Sequence, residues 1–105
     1  MNKIKHICAF SFRDDVEPAA RERMLSEIQT FPDKFPAMKN WVFNRNISKR
    51  DDRFTHAFIV EFESEADLIS YLGSERHETF VKEQFRPLIK ERGIITLEAG
   101  GPQQP

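Results

Sequence analysis

Apolar and polar residues alternate from Ile4 to Phe12, which predicts a strand. Ile4, His6, Cys8, Phe10 and Phe12 share one face, and Lys3, Lys5, Ile7, Ala9 and Ser11 share the other. Asp14-Asp15 then offers N-cap oxygens, and Pro18 suits the first turn of a helix. Ala20, Met24, Ile28 and Phe31 recur at helical spacing, with Arg21, Glu22, Arg23, Glu27 and Gln29 left for water. Pro32 and Pro36 stop that helix and bound a loop.

The alternation returns in Met38 to Ser48, with Trp41, Phe43, Arg45 and Ile47 on one face. The charged run Lys49 to Arg53 reads as a solvated connection. Phe54 to Phe62 is the clearest strand, Phe54, His56, Phe58, Val60 and Phe62 alternating with Thr55, Ala57, Ile59 and Glu61. Ser64 followed by Asp67 resembles a capping box ahead of a helix with Ala66, Ile69 and Leu72. Gly73 interrupts this helix, and Ser74 caps a second piece carrying His77, Phe80, Val81 and Phe85. Pro87 ends it, and Gly93 releases the chain into a last strand, Ile94 to Ala99. Residues 1–99 thus form one domain, and 100–105 read as a flexible C-terminal tail.

The order βαββαβ predicts an α+β domain of ferredoxin-like topology: a four-stranded antiparallel sheet with helices on one face. The face opposite the helices would then carry Ile7, Ala9, Trp41, Phe43, Ile47, Ala57 and Ile59. A patch that apolar calls for a cover, so a homodimer through this sheet face is expected.

Composition narrows the function classes. The 105 residues carry 16 basic and 17 acidic side chains, interspersed, for a net charge of −1. Phosphate-backbone binding lacks its driving force, and no strand has the aromatic pattern of an RNA-binding module, so no nucleic-acid partner is expected. No apolar run is long enough for a membrane helix or a secretory leader, and the lone Cys8 forms no internal disulfide. A cytoplasmic protein without a membrane partner is expected. Asn46-Ile47-Ser48 matches a glycosylation sequon and is read as chance in that setting.

Ten phenylalanines stand against one tyrosine, one tryptophan and three histidines. His6 and His56 lie on the strand face assigned to the helices. They read either as core imidazoles satisfied by hydrogen bonds or as members of a shared polar pocket. His77 would sit near the third position of a helix capped by Ser74, where the dipole disfavours imidazolium. It is either a neutral base or a half-buried histidine packing on the sheet. Tyr71 precedes it by six residues, and the break at Gly73 allows both to reach one cavity. A buried tyrosine hydroxyl can donate to a developing oxyanion; one at a helix end can also simply face water. The histidines have no partner at i+3 or i+4, so no metal site is expected. Cys8 reads as core, and no nucleophile elbow, phosphate loop or dinucleotide fingerprint is present.

Lys5-His6-Ile7, the block from Thr55 to Ser64, and Tyr71 with His77-Glu78-Thr79-Phe80-Val81 together resemble the stress-responsive A/B barrel (Dabb) domain family over residues 3–99. The resemblance implies a dimeric α+β barrel, each monomer with a cavity between sheet and helices, and no cofactor. A characterised plant member closes a linear polyketide by intramolecular aldol condensation. Its catalytic tyrosine and histidine match Tyr71 and His77, and its cavity histidines match His6 and His56. Phe10 and Phe58 would then help line the substrate pocket. Two details depart from the family: Ser74-Glu75-Arg76-His77 replaces a His-Pro-x-His run, and Ala37 rather than glycine follows Pro36. Two functions follow. One is a small-molecule-binding homodimer with cyclase- or lyase-type proton transfer on a carbonyl compound. The other is a non-catalytic stress-associated binding or structural domain.

Overall fold

Four strands pair in the order β2-β3-β1-β4, every neighbour antiparallel: β1 Ile4–Phe12, β2 Lys39–Arg45, β3 His56–Phe62 and β4 Ile89–Glu98. The structure is a computed structural model describing residues 3–99; the expected tail at 100–105 lies outside the described residues. The helices are α1 Pro18–Gln29, α2 Phe31–Lys34, α3 Glu65–Leu72 and α4 Glu75–Phe80. After α4 the chain widens into a π turn, Val81–Phe85, then tightens into a 3-10 turn, Arg86–Leu88, that feeds β4 directly. This is the ferredoxin-like α+β arrangement expected from the element order.

Period-two patterning in β1 and β3 decides the core. His6, Cys8 and Phe10 stand opposite Val60, Phe58 and His56, all on the helix side. Phe10, Phe62, Val60, Met24 and Ile28 are almost wholly buried between sheet and helices. Each such side chain contributes roughly 1.5–3 kcal/mol by leaving water. Pro18 opens α1, but Glu17 is its N-cap and no side chain caps it. The expected Asp14-Asp15 cap is not used: Asp15 accepts from Arg13 instead. Arg21 ties down the β1–α1 loop by donating to the carbonyls of Val16 and Arg13.

The open face of the sheet is arranged in rows. Val42, Ile59, Ile7 and Ile95 are successive cross-strand partners, an aliphatic row spanning all four strands. Val42 and Ile95 are 60% and 54% exposed, so this row is solvent-facing in the monomer. A second row is small: Asn44, Ala57, Ala9 and Gly93. A third is charged, Glu61 pairing with Lys3 and Lys5 at 3.5 and 3.4 Å, and continues to Leu97.

Three strand details differ from the sequence-based expectation. Trp41 and Phe43 lie on the helix side, not the open face: Trp41 stacks on Phe58 at 4.9 Å, and Phe43 is buried beside Phe10. Trp41, Phe43 and Arg45 still share one face, but Phe43 and Arg45 pair with Phe58 and His56, which turns that face toward the helices; the register shifts only ahead of it, between Lys39 and Val42, with Asn40 at φ 52°. Val42 takes the open-face place instead. Phe54 precedes β3, and its ring lies against Gly93, where a Cβ would come within 3.1 Å. Gly93 therefore does not start the last strand. It sits inside β4, which begins at Ile89, and its missing side chain makes room for Phe54.

Candidate functional site

A cavity of about 500 Å³ opens between the sheet and the α3–α4 side of the helical layer. His6, Cys8 and Phe58 line it from the strands. Tyr71 and His77 line it from α3 and α4. Ile28, Phe31, Phe80 and Phe85 add apolar wall.

The sequence brings Tyr71 and His77 together through a break. Six residues on one continuous helix would turn the two side chains well apart. Gly73 ends α3 and Ser74 leaves helical geometry, with φ −69° and ψ 149°. The Ser74 hydroxyl donates to the Tyr71 carbonyl at 2.9 Å and accepts from the His77 amide at 3.1 Å. The rings end with centroids 4.6 Å apart. Ser74→Ala removes both bonds; we expect a loss of about 1 kcal/mol, read as a lower urea midpoint, with ligand affinity falling alongside.

The tautomer of His77 follows from its partner. Nδ1 lies 3.0 Å from the Leu72 carbonyl oxygen, which can only accept, so Nδ1 carries the hydrogen. Nε2 is then the unprotonated nitrogen of the neutral ring. Burial lowers the His77 pKa below the ordinary 6.5, against the Leu72 carbonyl and the Glu78 carboxylate, which favour the charged ring. The imidazole is thus a neutral base at pH 7 with a built-in means of holding the proton it takes.

Tyr71 is buried, and burial pushes its hydroxyl pKa upward, so it stays a donor. His6 is also buried, and its Nδ1 meets the Thr96 hydroxyl at 3.0 Å. Its pKa is lowered by burial and by His77 nearby. Burial raises the Cys8 thiol to about 11, despite the Arg92 charge, so it is not a nucleophile at neutral pH.

Two of the expected pocket residues do not line this cavity. His56 stacks on Phe10 with centroids 5.8 Å apart, and its Nδ1 lies 2.9 Å from the Thr55 hydroxyl. Phe10 is fully buried beneath it. Both lie on the expected face, but His56 starts β3 and pairs two residues beyond the Cys8–Phe58 pair that lines the cavity. Alternation identifies a face; it does not say where along the strand a cavity opens. The reading also missed Glu78, Lys82, Arg86 and Arg92, all at the cavity mouth. Glu78 rides on α4, and Lys82 and Arg86 on the π and 3-10 turns that follow, which have no signature in the sequence beyond Pro87.

All three histidines have pKa values lowered chiefly by burial. The unfolded chain therefore binds protons at higher pH than the folded one. The associated stability is present above about pH 6.5 and is lost as pH falls through the folded values. We expect the urea midpoint to drop between about pH 7.5 and about pH 5.5, before the carboxylates contribute.

A family model described as the stress responsive A/B barrel domain matches residues 4–98. A Dabb family protein with a ferredoxin-like fold from Mesorhizobium loti is 20% identical, with TM-score 0.84 over 96% of this chain and all of that one. A hydroxynitrile lyase from Passiflora edulis is 20% identical, with TM-score 0.86 over 98% of each chain. A dimeric ferredoxin-like protein of unknown function from Bacteroides fragilis is 18% identical, with TM-score 0.73 over 94% of this chain and 98% of that one. At these identities the structural likenesses establish the fold. No curated protein sequence matches.

Proposed function

The chain belongs to the stress-responsive A/B barrel domain family, and from that premise we propose a small-molecule-binding homodimer that moves a proton on a carbonyl compound without a cofactor, as a cyclase or lyase does. The observation that carries this reading is the pairing, at one cavity, of an imidazole with a free Nε2 and a phenol held protonated. His77 Nε2 takes the proton from a carbon next to a carbonyl. The C–H electron pair becomes the enolate double bond, and the carbonyl π pair moves to oxygen. Tyr71 donates a hydrogen bond to that oxygen. The imidazolium is held by the Leu72 carbonyl and the Glu78 carboxylate until the proton is returned, to carbon or to the alkoxide of a new bond. His6 orients the ligand's polar group from the sheet, and Phe58 packs on its apolar part.

The fold's likeness to a hydroxynitrile lyase supports this reading as precedent for lyase chemistry in the same architecture. Dimer formation is supported by the aliphatic row on the open sheet face and by dimeric neighbours of the same fold. The lone buried thiol of Cys8 accords with a cytoplasmic location. The hydrogen bonds of His6 to Thr96 and of His56 to Thr55 are what a non-catalytic polar network would contain. That alternative leaves the free Nε2 of His77 without a use. The test is deuterium exchange of the protons beside the ketone of methyl benzoylpropionate, followed by proton NMR in heavy water. Exchange clearly above the protein-free rate is expected. Exchange at the protein-free rate for this ester and for a range of similar ketones would favour the non-catalytic reading.

A further inference from the structure

The cavity mouth carries more positive charge than its surroundings explain. The chain as a whole has a net charge of −1. Around this opening stand Lys82, Arg86 and Arg92 against one carboxylate, Glu78. None of the three cations has a carboxylate within 4 Å among the described residues, whereas Lys3, Lys5, Arg13, Lys34 and Arg53 each do. The arrangement has a structural origin. The π turn inserts an extra residue per turn, and Pro87 follows at once. Glu78, Lys82 and Arg86 follow one another at intervals of four residues through α4 and these turns, and all three line the one opening. Arg92 comes from the sheet. It stands opposite Phe10 in the register, so its side chain is on the helix face of edge strand β4. The histidines deeper in the cavity are neutral at pH 7 and do not add to this charge.

We propose that the substrate is itself anionic: a carbonyl compound carrying a carboxylate, a keto acid, whose acid group is held at the mouth by Lys82, Arg86 and Arg92 while its ketone reaches Tyr71 and His77. This rests on the proposed function for the inner end of the site and adds the charge class of the ligand. A guanidinium offers a planar fork that matches a carboxylate, and two are present. The apolar walls leave the middle of the ligand uncharged. All three cations are solvent-exposed, so each acts weakly alone and the attraction is screened by salt.

The experiment compares benzoylpropionate with its methyl ester, two probes that differ by one charge, using calorimetric titration of the full chain. The acid is expected to bind roughly tenfold more tightly than the ester at about 20 mM salt, about 1.4 kcal/mol, and to lose most of that preference by about 0.5 M. A variant combining Lys82→Met, Arg86→Met and Arg92→Met should bind acid and ester alike, while Arg23→Met on α1, away from the cavity, should keep the preference. Equal binding of acid and ester by the native chain overturns the proposal, as does a preference that survives the triple variant or binding of neither probe. The result is separable from the catalytic reading. His77→Ala should leave the acid preference in place, and deuterium exchange of the neutral ester reports on His77 whatever the mouth prefers.

Discussion

Replacing His77 by alanine is expected to lower the exchange rate of methyl benzoylpropionate by at least ~100-fold, the lower end of what a positioned base contributes. The fold should survive, because His77 is half-buried and, among the described residues, its ring makes one hydrogen bond, to Leu72. Its loss leaves the Ser74 cap intact, since that bond uses the His77 amide. Tyr71→Phe separates the two roles. It keeps the ring packed against Phe35, Phe62 and His77 and removes only the donor. A fall of roughly 100- to 1,000-fold is expected, the usual cost of removing a single donor to the oxyanion. Activity should rise with pH through the lowered His77 pKa and stay level above neutrality, since Tyr71 remains protonated there. A profile still climbing toward alkaline pH would point to a different base.

The second large effect concerns the open face. Ile7 lies at the centre of the aliphatic row, between Ile59 and Ile95. In a dimer joined through this face, Ile7→Asp places one unpaired carboxylate per subunit against apolar surface. An isolated buried charge costs several kcal/mol, and the dimer holds two. The dissociation constant should rise at least ~100-fold, about 2.7 kcal/mol, as measured by sedimentation. The monomer should remain folded, since the core lies on the other side of the sheet. Asp52→Asn, in the exposed connection, is the neutral control. If Ile7→Asp leaves the association state unchanged, the subunits meet elsewhere.

These two residues also mark how legible the chain was. The strand periods placed His6 and Ile7 on opposite faces of β1, and the structure keeps them there. The Tyr71–His77 pairing was readable because glycine and serine between them mark a helix break and a new cap. Trp41 and Phe43 went to the wrong face because alternation groups residues without saying which group is inside. The pairing of Phe43 with Phe58 and of Arg45 with His56 decides it, and that register is not written in β2 alone. His56 fails to join the cavity for a related reason. Period two says which face, while distance along the strand depends on where the helices leave a gap. The cationic mouth was illegible because Lys82, Arg86 and Arg92 look like ordinary surface charges until edge strand β4 brings Arg92 to the opening that Lys82 and Arg86 line.

The proposed chemistry requires His77 to be a neutral base with its Nε2 toward the cavity. Nitrogen NMR of the histidine rings, recorded as a function of pH and with methyl benzoylpropionate, tests this most directly. The predicted result is a His77 ring with hydrogen on Nδ1, an apparent pKa below 6.5, and resonances that move with the probe, while those of His56 stay in place. A His77 ring with hydrogen on Nε2, or one that the probe leaves unmoved, would contradict it.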